Sequence, residues 1–390
     1  MKVEKIAGIV NNMYQEYTGG SEILVDDMTK VVDKGREMLG AMDIENFTRK
    51  LIDHVGRMVF VDRVYGGDAP NVRKDGWQYA SIMEKVQCDK IDAIEDNSWD
   101  LQNGVAYTDG FKFKAPSVSA KFYNSKVTYK VQISYTRMQV ESAFDNASQV
   151  NAFFSMIENK INNEFTIWED SLIMGTINTM IASTVLDEFP ETEDYSTVSG
   201  VKAINLLKLY NDAFGTDLDP EAAVKDKEFI RFASYEVAIK PKQMNRMNSL
   251  MNIGGKDRFT PRDRLHVVLL DRFMKAAEVY LESDTFHNNL VALPNAETVA
   301  AWQAIGDDFS FSKVSEINVK VKGADGEDKT VHFTGVLGVM FDDDCLGLYN
   351  QHKETTTQYI PSDRFFNSFY FEDCSYWNDE NEQFVVFYVA

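Results

Sequence analysis

Cysteine is scarce. The three present, Cys88, Cys345 and Cys374, are odd in number and widely spaced, which excludes a disulfide framework and points to reduced thiols. Long apolar runs are missing too. The opening MKVEKIAGIVNNMY holds no stretch that serves as a signal peptide. The longest charge-free stretch near the middle, 171–186, is interrupted by Thr176, Asn178, Thr179, Ser183 and Thr184, so no membrane span is expected. Positive charge is in deficit: 40 Lys and Arg stand against 61 Asp and Glu, a net charge of −21. Such a surface repels phosphate backbones and argues against a free-standing nucleic-acid binder. The expectation is a reduced, soluble chain made in a cytoplasm.

Recognisable chemistry is also lacking. No GxGxxG, P-loop, HExxH, GxSxG or CxxC motif occurs. The five histidines, His54, His266, His287, His332 and His352, form no i, i+4 pair. Asp342-Asp343-Asp344 offers oxygen ligands for Ca²⁺ or Mg²⁺ but lacks an EF-hand's glycine and spacing, so a solvated turn between strands is the reading. The acids of 187–194 read as a solvated loop, and Gly254-Gly255-Lys256 as a mobile loop rather than an anion cradle. No catalytic, cofactor-binding or metal residue is assigned, and no cofactor is expected. There is no internal repeat and no low-complexity tract.

What is present is a foldable chain. Its 390 residues suffice for two to three domains or one large one, and 44 % hydrophobic and 12 % aromatic residues exclude general disorder. After mixed-charge helical fragments (Ile44, Phe47, Leu51, Ile52) up to about residue 65, Gly66 to Asn71 breaks structure. Seven acids then stand between Glu84 and Asp109. The sign reverses from Phe111 to Arg137, with Lys112, Lys114, Lys121, Lys126, Lys130 and Arg137 and no acid. Val127, Tyr129, Val131, Ile133 and Tyr135 alternate with polar residues, a strand with one covered face. Together these halves read as a long, charge-polarised β-excursion.

Phe154, Ile157, Ile161, Phe165, Trp168 and Leu172 form a helical stripe read as core. With Asn146 or Ser148 as cap, the pattern predicts a helix to about Met180, roughly 33 residues and about 50 Å. A polar loop (183–199), a helix (about 201–214) and a buried strand (265–270) running into an amphipathic helix follow. A β-rich last quarter ends at 384–389.

In that order the parts resemble the major capsid protein of tailed bacteriophages, the Hong Kong 97-type fold. The likeness is nearest to capsid proteins of small podophages of Gram-positive hosts. The residues that carry it are Val339-Met340-Phe341-Asp342, Leu348-Tyr349-Asn350, His352-Lys353-Glu354-Thr355 and Pro361. The aromatics Phe365, Phe366, Phe369, Tyr370, Phe371 and Trp377 and the closing 384–389 add to it, with 127–135 and 267–270 in their places. The resemblance implies an α+β fold with an N-terminal arm (1–65), an extended β-hairpin or E-loop (66–137), a peripheral domain built on a spine helix (138–200 and 333–390) and an axial domain (201–332).

It implies a non-enzymatic protein of the virion that self-assembles into pentamers and hexamers, an icosahedral or prolate shell around double-stranded DNA, in the bacterial host cytoplasm. Expected partners are further copies, portal and scaffolding proteins and, by proximity, the packaged DNA, with no membrane and no small-molecule substrate. With the chain stopping at Ala390, no immunoglobulin-like decoration is expected, and about 65 N-terminal residues are too few for a long fused scaffold. The Lys–Asn cross-link of the type member is not carried over, since nothing marks its partners for Lys112 or Lys114. Complementary charge between the lysine-rich arm and acidic segments favours contacts between identical chains. The other readings are a different virion component, of tail or decoration type, and an acidic cytosolic enzyme.

Overall fold

The computed structural model of the chain describes residues 63–74, 82–91, 93, 95, 99, 113, 115–135, 147–282, 296–303, 310–323, 326–363 and 365–390. The helical fragments near Ile44 and Leu51, Lys112, Lys114, Arg137, His54 and His287 lie outside them. The chain divides into two compact units, residues 1–63 with 146–159, and 64–145 with 160–390. In the first, the described residues are Arg63 and the opening turns of the long helix.

The second unit holds two principal sheets. One is three-stranded, in the order β10 (Leu346–Ile360), β11 (Phe365–Asn378), β3 (Lys126–Tyr135), antiparallel throughout. Period-two alternation of β3 is realised: Val127, Tyr129, Val131 and Ile133 are half-buried and the residues between them exposed. The covering element is the helix α1 (Ala147–Glu188), whose Trp168 stacks on Tyr129 at 5.4 Å. β10 is one continuous strand, because β11 pairs with its whole length across a bulge between Asn350 and His352.

α1 is 42 residues long, about 63 Å at 1.5 Å per residue. It outruns the expected end at Met180 because Ile181, Ala182 and Val185 continue a buried face after Ile173 and Ile177. Part of the loop expected from 183 is therefore helix, as Thr184 turns inward. The stripe is also not uniformly core. Ile161 and Phe165 are buried, but Trp168 is 47 % exposed, half covered by the edge of the sheet.

The other sheet has five strands in the order β4 (Ala203–Asn205), β12 (Phe384–Tyr388), β9 (Val336–Asp342), β5 (Leu265–Leu270), β6 (Glu297–Val299). β4 and β6 run parallel to their neighbours, and β9 is antiparallel to both of its own. Every residue of β9 and β12 is buried, as expected of central strands covered on both faces. α2 (Leu206–Phe214) and α5 (Asp271–Glu282) pack on this sheet, and α4 (Lys227–Met244) packs on both helices. The helix expected from 201 begins only at Leu206, since 203–205 pair with β12 and Asn205 caps the helix by accepting from Lys208 N. A short helix, α3 (Pro220–Ala223), and α4 had no counterpart in the sequence reading.

β9 and β12 thus share a sheet with strands of the 201–332 segment. A division at residue 333 cuts through that sheet. A separate antiparallel hairpin is formed by β7 (Ile317–Lys322) and β8 (Asp328–Phe333). It is followed by Gly335 at φ +81°, where a β-carbon would collide with the carbonyl of Val389.

Candidate functional site

The second hairpin, β1 (Met83–Cys88) with β2 (Val118–Tyr123), has an inverted polarity. Its register places Lys85 opposite Lys121, with Met83, Gln87 and Tyr123 on the same face. That charged face turns toward its own chain. Lys85 Nζ donates to Asp379 Oδ2 at 2.7 Å and Glu382 Oε1 at 2.9 Å, and Lys121 Nζ reaches Asp379 Oδ1 at 3.2 Å. Gln87 Nε2 donates to both acids, at 3.2 and 2.9 Å, and Arg258 Nε lies 3.5 Å from Glu382. Just beyond the strands, Asp89 accepts from Ser117 Oγ at 2.6 Å and from Lys256 Nζ at 3.0 Å.

The acids sit in the turn between β11 and β12. Burial works against ionisation of Asp379, yet the ammonium of Lys85, the Asn381 N–H and Lys121 hold its carboxyl below the usual range. Burial likewise works against the charge on Lys85, and hydrogen bonds to Asp379 and Glu382 more than offset it, raising its pKa.

The opposite face carries Val86, Val118 and Phe122, exposed by 61, 57 and 65 %, with Cys88, Ala120 and, across from Phe122, one acid, Glu84. Ile82, Ile91, Trp99 and Phe113, in the same part of the chain, are exposed as well. A monomer rarely concentrates large apolar side chains in this way, and such patches mark contact surfaces.

At the described positions the arm's lysines find partners within their own chain. Lys121 pairs with Asp379, Lys126 with Asp373 at 2.7 Å, and Lys130 lies 4.6 Å over the ring of Phe369, all within one chain. The Asp342-Asp343-Asp344 turn is not simply solvated: Lys74 and His266 meet Asp343, and Arg264 meets Asp344. The acids of 187–194 have a base just beyond them, Lys202, which pairs with Asp187 and Glu188. The Gly254 turn is docked rather than loose. Asn252 bonds Lys256 through both side-chain atoms, and Gly254 N donates to Glu380 O at 2.8 Å. His332 meets Glu316, and His352 is exposed.

The residues of the anchor, Gln87, Arg258, Asp379 and Glu382, went unread in the sequence. Lys85 and Asp379 are 294 positions apart, and no local pattern links them. The outer face was not legible from β1 itself, because its inward positions (Met83, Lys85, Gln87) and outward ones (Glu84, Val86, Cys88) each mix a charge with apolar residues.

Among the described residues no helix is long and apolar enough to cross a membrane. Comparison with curated proteins finds no match. Comparison with solved structures finds the capsid structure of Staphylococcus phage Andhra, with a TM-score of 0.57 at 10 % identity, covering 86 % of this chain and 87 % of that one. A capsid structure of cyanophage P-SCSP1u matches at a TM-score of 0.46 and 11 % identity, over 87 and 96 % of the two chains. The first likeness is one of fold: this chain has the Hong Kong 97-type α+β architecture. The family model for Phi29-like phage major capsid proteins matches residues 6–388. The chain belongs to the Phi29-like phage major capsid protein family.

Proposed function

We propose that this capsid protein builds its shell by laying the apolar outer face of the β1–β2 hairpin on a neighbouring copy. The observation that carries this is the hairpin's polarity: lysines and glutamine face the chain's own acids, while Val86, Val118 and Phe122 face outward. The intrachain ion pairs orient the hairpin, and burial of its outer face supplies association free energy, roughly 25 cal/mol per Å² of apolar surface. Heterologous contacts of this kind close into rings, here pentamers and hexamers, and the rings into a shell around double-stranded DNA. Portal and scaffolding proteins join the same assembly in the host cytoplasm. With a net charge of −21, the chain repels the packaged DNA rather than binding it. The role is structural, without catalysis.

The sheets suggest a division other than the one first expected. The peripheral domain takes α1, β3, β10 and β11, and the axial domain takes the five-stranded sheet, including β9 and β12. Residues 66–125 form the loop, and 1–65 the arm.

The test is the double substitution Val86→Asp and Phe122→Asp, two exposed sites at which the fold is expected to tolerate a carboxylate. A chain with unchanged circular dichroism that sediments as monomer, where the parent forms capsomers or shells, is the expected result. Shells formed as readily as by the parent would defeat the proposal.

A further inference from the structure

Where α1 crosses the three-stranded sheet, a second cluster of polar groups is buried that the assembly surface does not use. Glu372 and Cys374, two apart on β11, point to the same face, and Glu169 of α1 meets them there. One ligand atom from each lies within 4.8 Å of those of the other two. Glu372 and Cys374 have no exposed surface, and Glu169 has 7 %.

The bulge in β10 completes the group. Register pairs Asn350 with Cys374 and Lys353 with Glu372, with the extra residue Gln351 between. Residues three apart on a regular strand face opposite sides, and the bulge returns both to the same side. Asn350 Nδ2 donates to Glu372 Oε1 at 3.0 Å and also to Glu169, and its Oδ1 lies 3.1 Å from Cys374 Sγ. Arg73 Nη2 stands 3.1 Å from Glu169 Oε2, and Lys353 Nζ 2.8 Å from Glu372 Oε1. One acceptor is left over. Glu372 Oε2, on a side chain with no exposed surface, has no hydrogen-bond partner, and an acceptor so buried is costly unless something occupies it.

We propose that Glu169, Glu372 and Cys374, with Asn350 Oδ1 as the fourth donor, bind one divalent transition metal of the Zn²⁺ class. Four donors, one of them sulfur, suit a tetrahedral borderline-soft ion, whereas Ca²⁺ and Mg²⁺ demand about six oxygens. On binding, the S–H bond of Cys374 breaks, its proton leaves to solvent, and a metal–thiolate bond forms with no change in oxidation state. Two carboxylates and a thiolate then face the ion together with Arg73 and Lys353, so no buried anion is uncompensated. The ion would clamp the spine helix to the β10–β11 hairpin.

Co²⁺ added to the full-length reduced protein is the probe. The expected result is one equivalent bound, with tetrahedral visible bands and a thiolate-to-metal band in the near ultraviolet, all displaced by Zn²⁺. Cys374→Ser should abolish the near-ultraviolet band, and Cys88→Ser, at the exposed thiol, should leave it intact. Glu372→Gln, nearly isosteric, should weaken binding more than about 100-fold while the apo protein keeps its circular dichroism. Should the Cys374 variant fail to fold, Glu372→Gln and Cys88→Ser decide the matter. Absence of any Co²⁺ uptake, a band that follows Cys88, or binding indifferent to Glu372→Gln would overturn the proposal.

Discussion

Replacing Asp379 by asparagine isolates what holds the hairpin to its own chain. The Asp379 side chain has no exposed surface and receives Lys85 at 2.7 Å, Lys121 at 3.2 Å and the Asn381 N–H at 3.1 Å. Removing one partner of a buried ion pair costs roughly 3–5 kcal/mol, because the remaining charge is stranded. Two features reduce that here. Lys85 keeps Glu382 at 2.9 Å, and Lys121, 41 % exposed, returns to water. The expected cost is therefore about 2 kcal/mol, confined to the hairpin.

Amide hydrogen exchange on the unassembled full chain reads this directly. At about 1.4 kcal/mol per tenfold, exchange at β1 and β2 should accelerate about 30-fold while β9 and β12 keep their protection. The same assay carries a pH signature. Asp379 has its pKa lowered, so its contribution is present above the unfolded carboxyl value of about 3.9 and disappears as pH falls through the lower folded value. Lys85 has its pKa raised, so its contribution is whole below about 10.4 and disappears as pH rises through the higher folded value. Hairpin protection, corrected for intrinsic exchange rates, should then be flat from pH 5 to 9. A change of less than twofold in the Asp379→Asn variant, or a loss of protection near pH 6–7, would refute the ion-pair anchor.

Two further substitutions separate the halves of α1 and test the close approach before β9. Trp168→Ala should cost only about 1 kcal/mol in urea denaturation, since the residue is half exposed and gives up mainly its stack on Tyr129, whereas Ile177→Ala, with no exposed surface, should cost about 2–5 kcal/mol. Equal costs would mean that the helix is buried uniformly. Gly335→Ala places a β-carbon against Val389 O at a positive φ, so it should shift the β12 strand at a cost of about 2 kcal/mol and lower the thermal midpoint by about 2–3 °C in a chain of this length. A neutral result would show that the C-terminal residues move aside freely.

Much of the architecture was written in local pattern. β3, β5, α5, the β7–β8 hairpin, β9 and β12 were legible because alternation or helical spacing states which side is covered, and the covering partner need not be known. The resemblance of the last fifty residues to phage capsid proteins was legible for the same reason: hydrophobic strands in a fixed order need little identity to persist. Where the reading stopped short, a partner far along the chain was deciding. α1 runs past Met180 because its last turns are buried with distant strands, residues 203–205 are a strand because β12 lies beside them, and Trp168 is half exposed because the helix crosses at the edge of β3.

Charge was the least legible quantity. Composition and runs of one sign report how many ions a segment carries, not where their counter-ions lie. The lysines of the hairpin seemed available to neighbours, and only the tertiary fold reveals Asp379 and Glu382, nearly 300 residues away, already holding them. The sequence by itself determined the kind of layers this protein builds and the capsid family it belongs to. Which face of the hairpin is left for another copy, and which acids meet in the interior beneath α1, was decided by the packing, because ion pairs and bulges act over distances in space that the order of residues does not record.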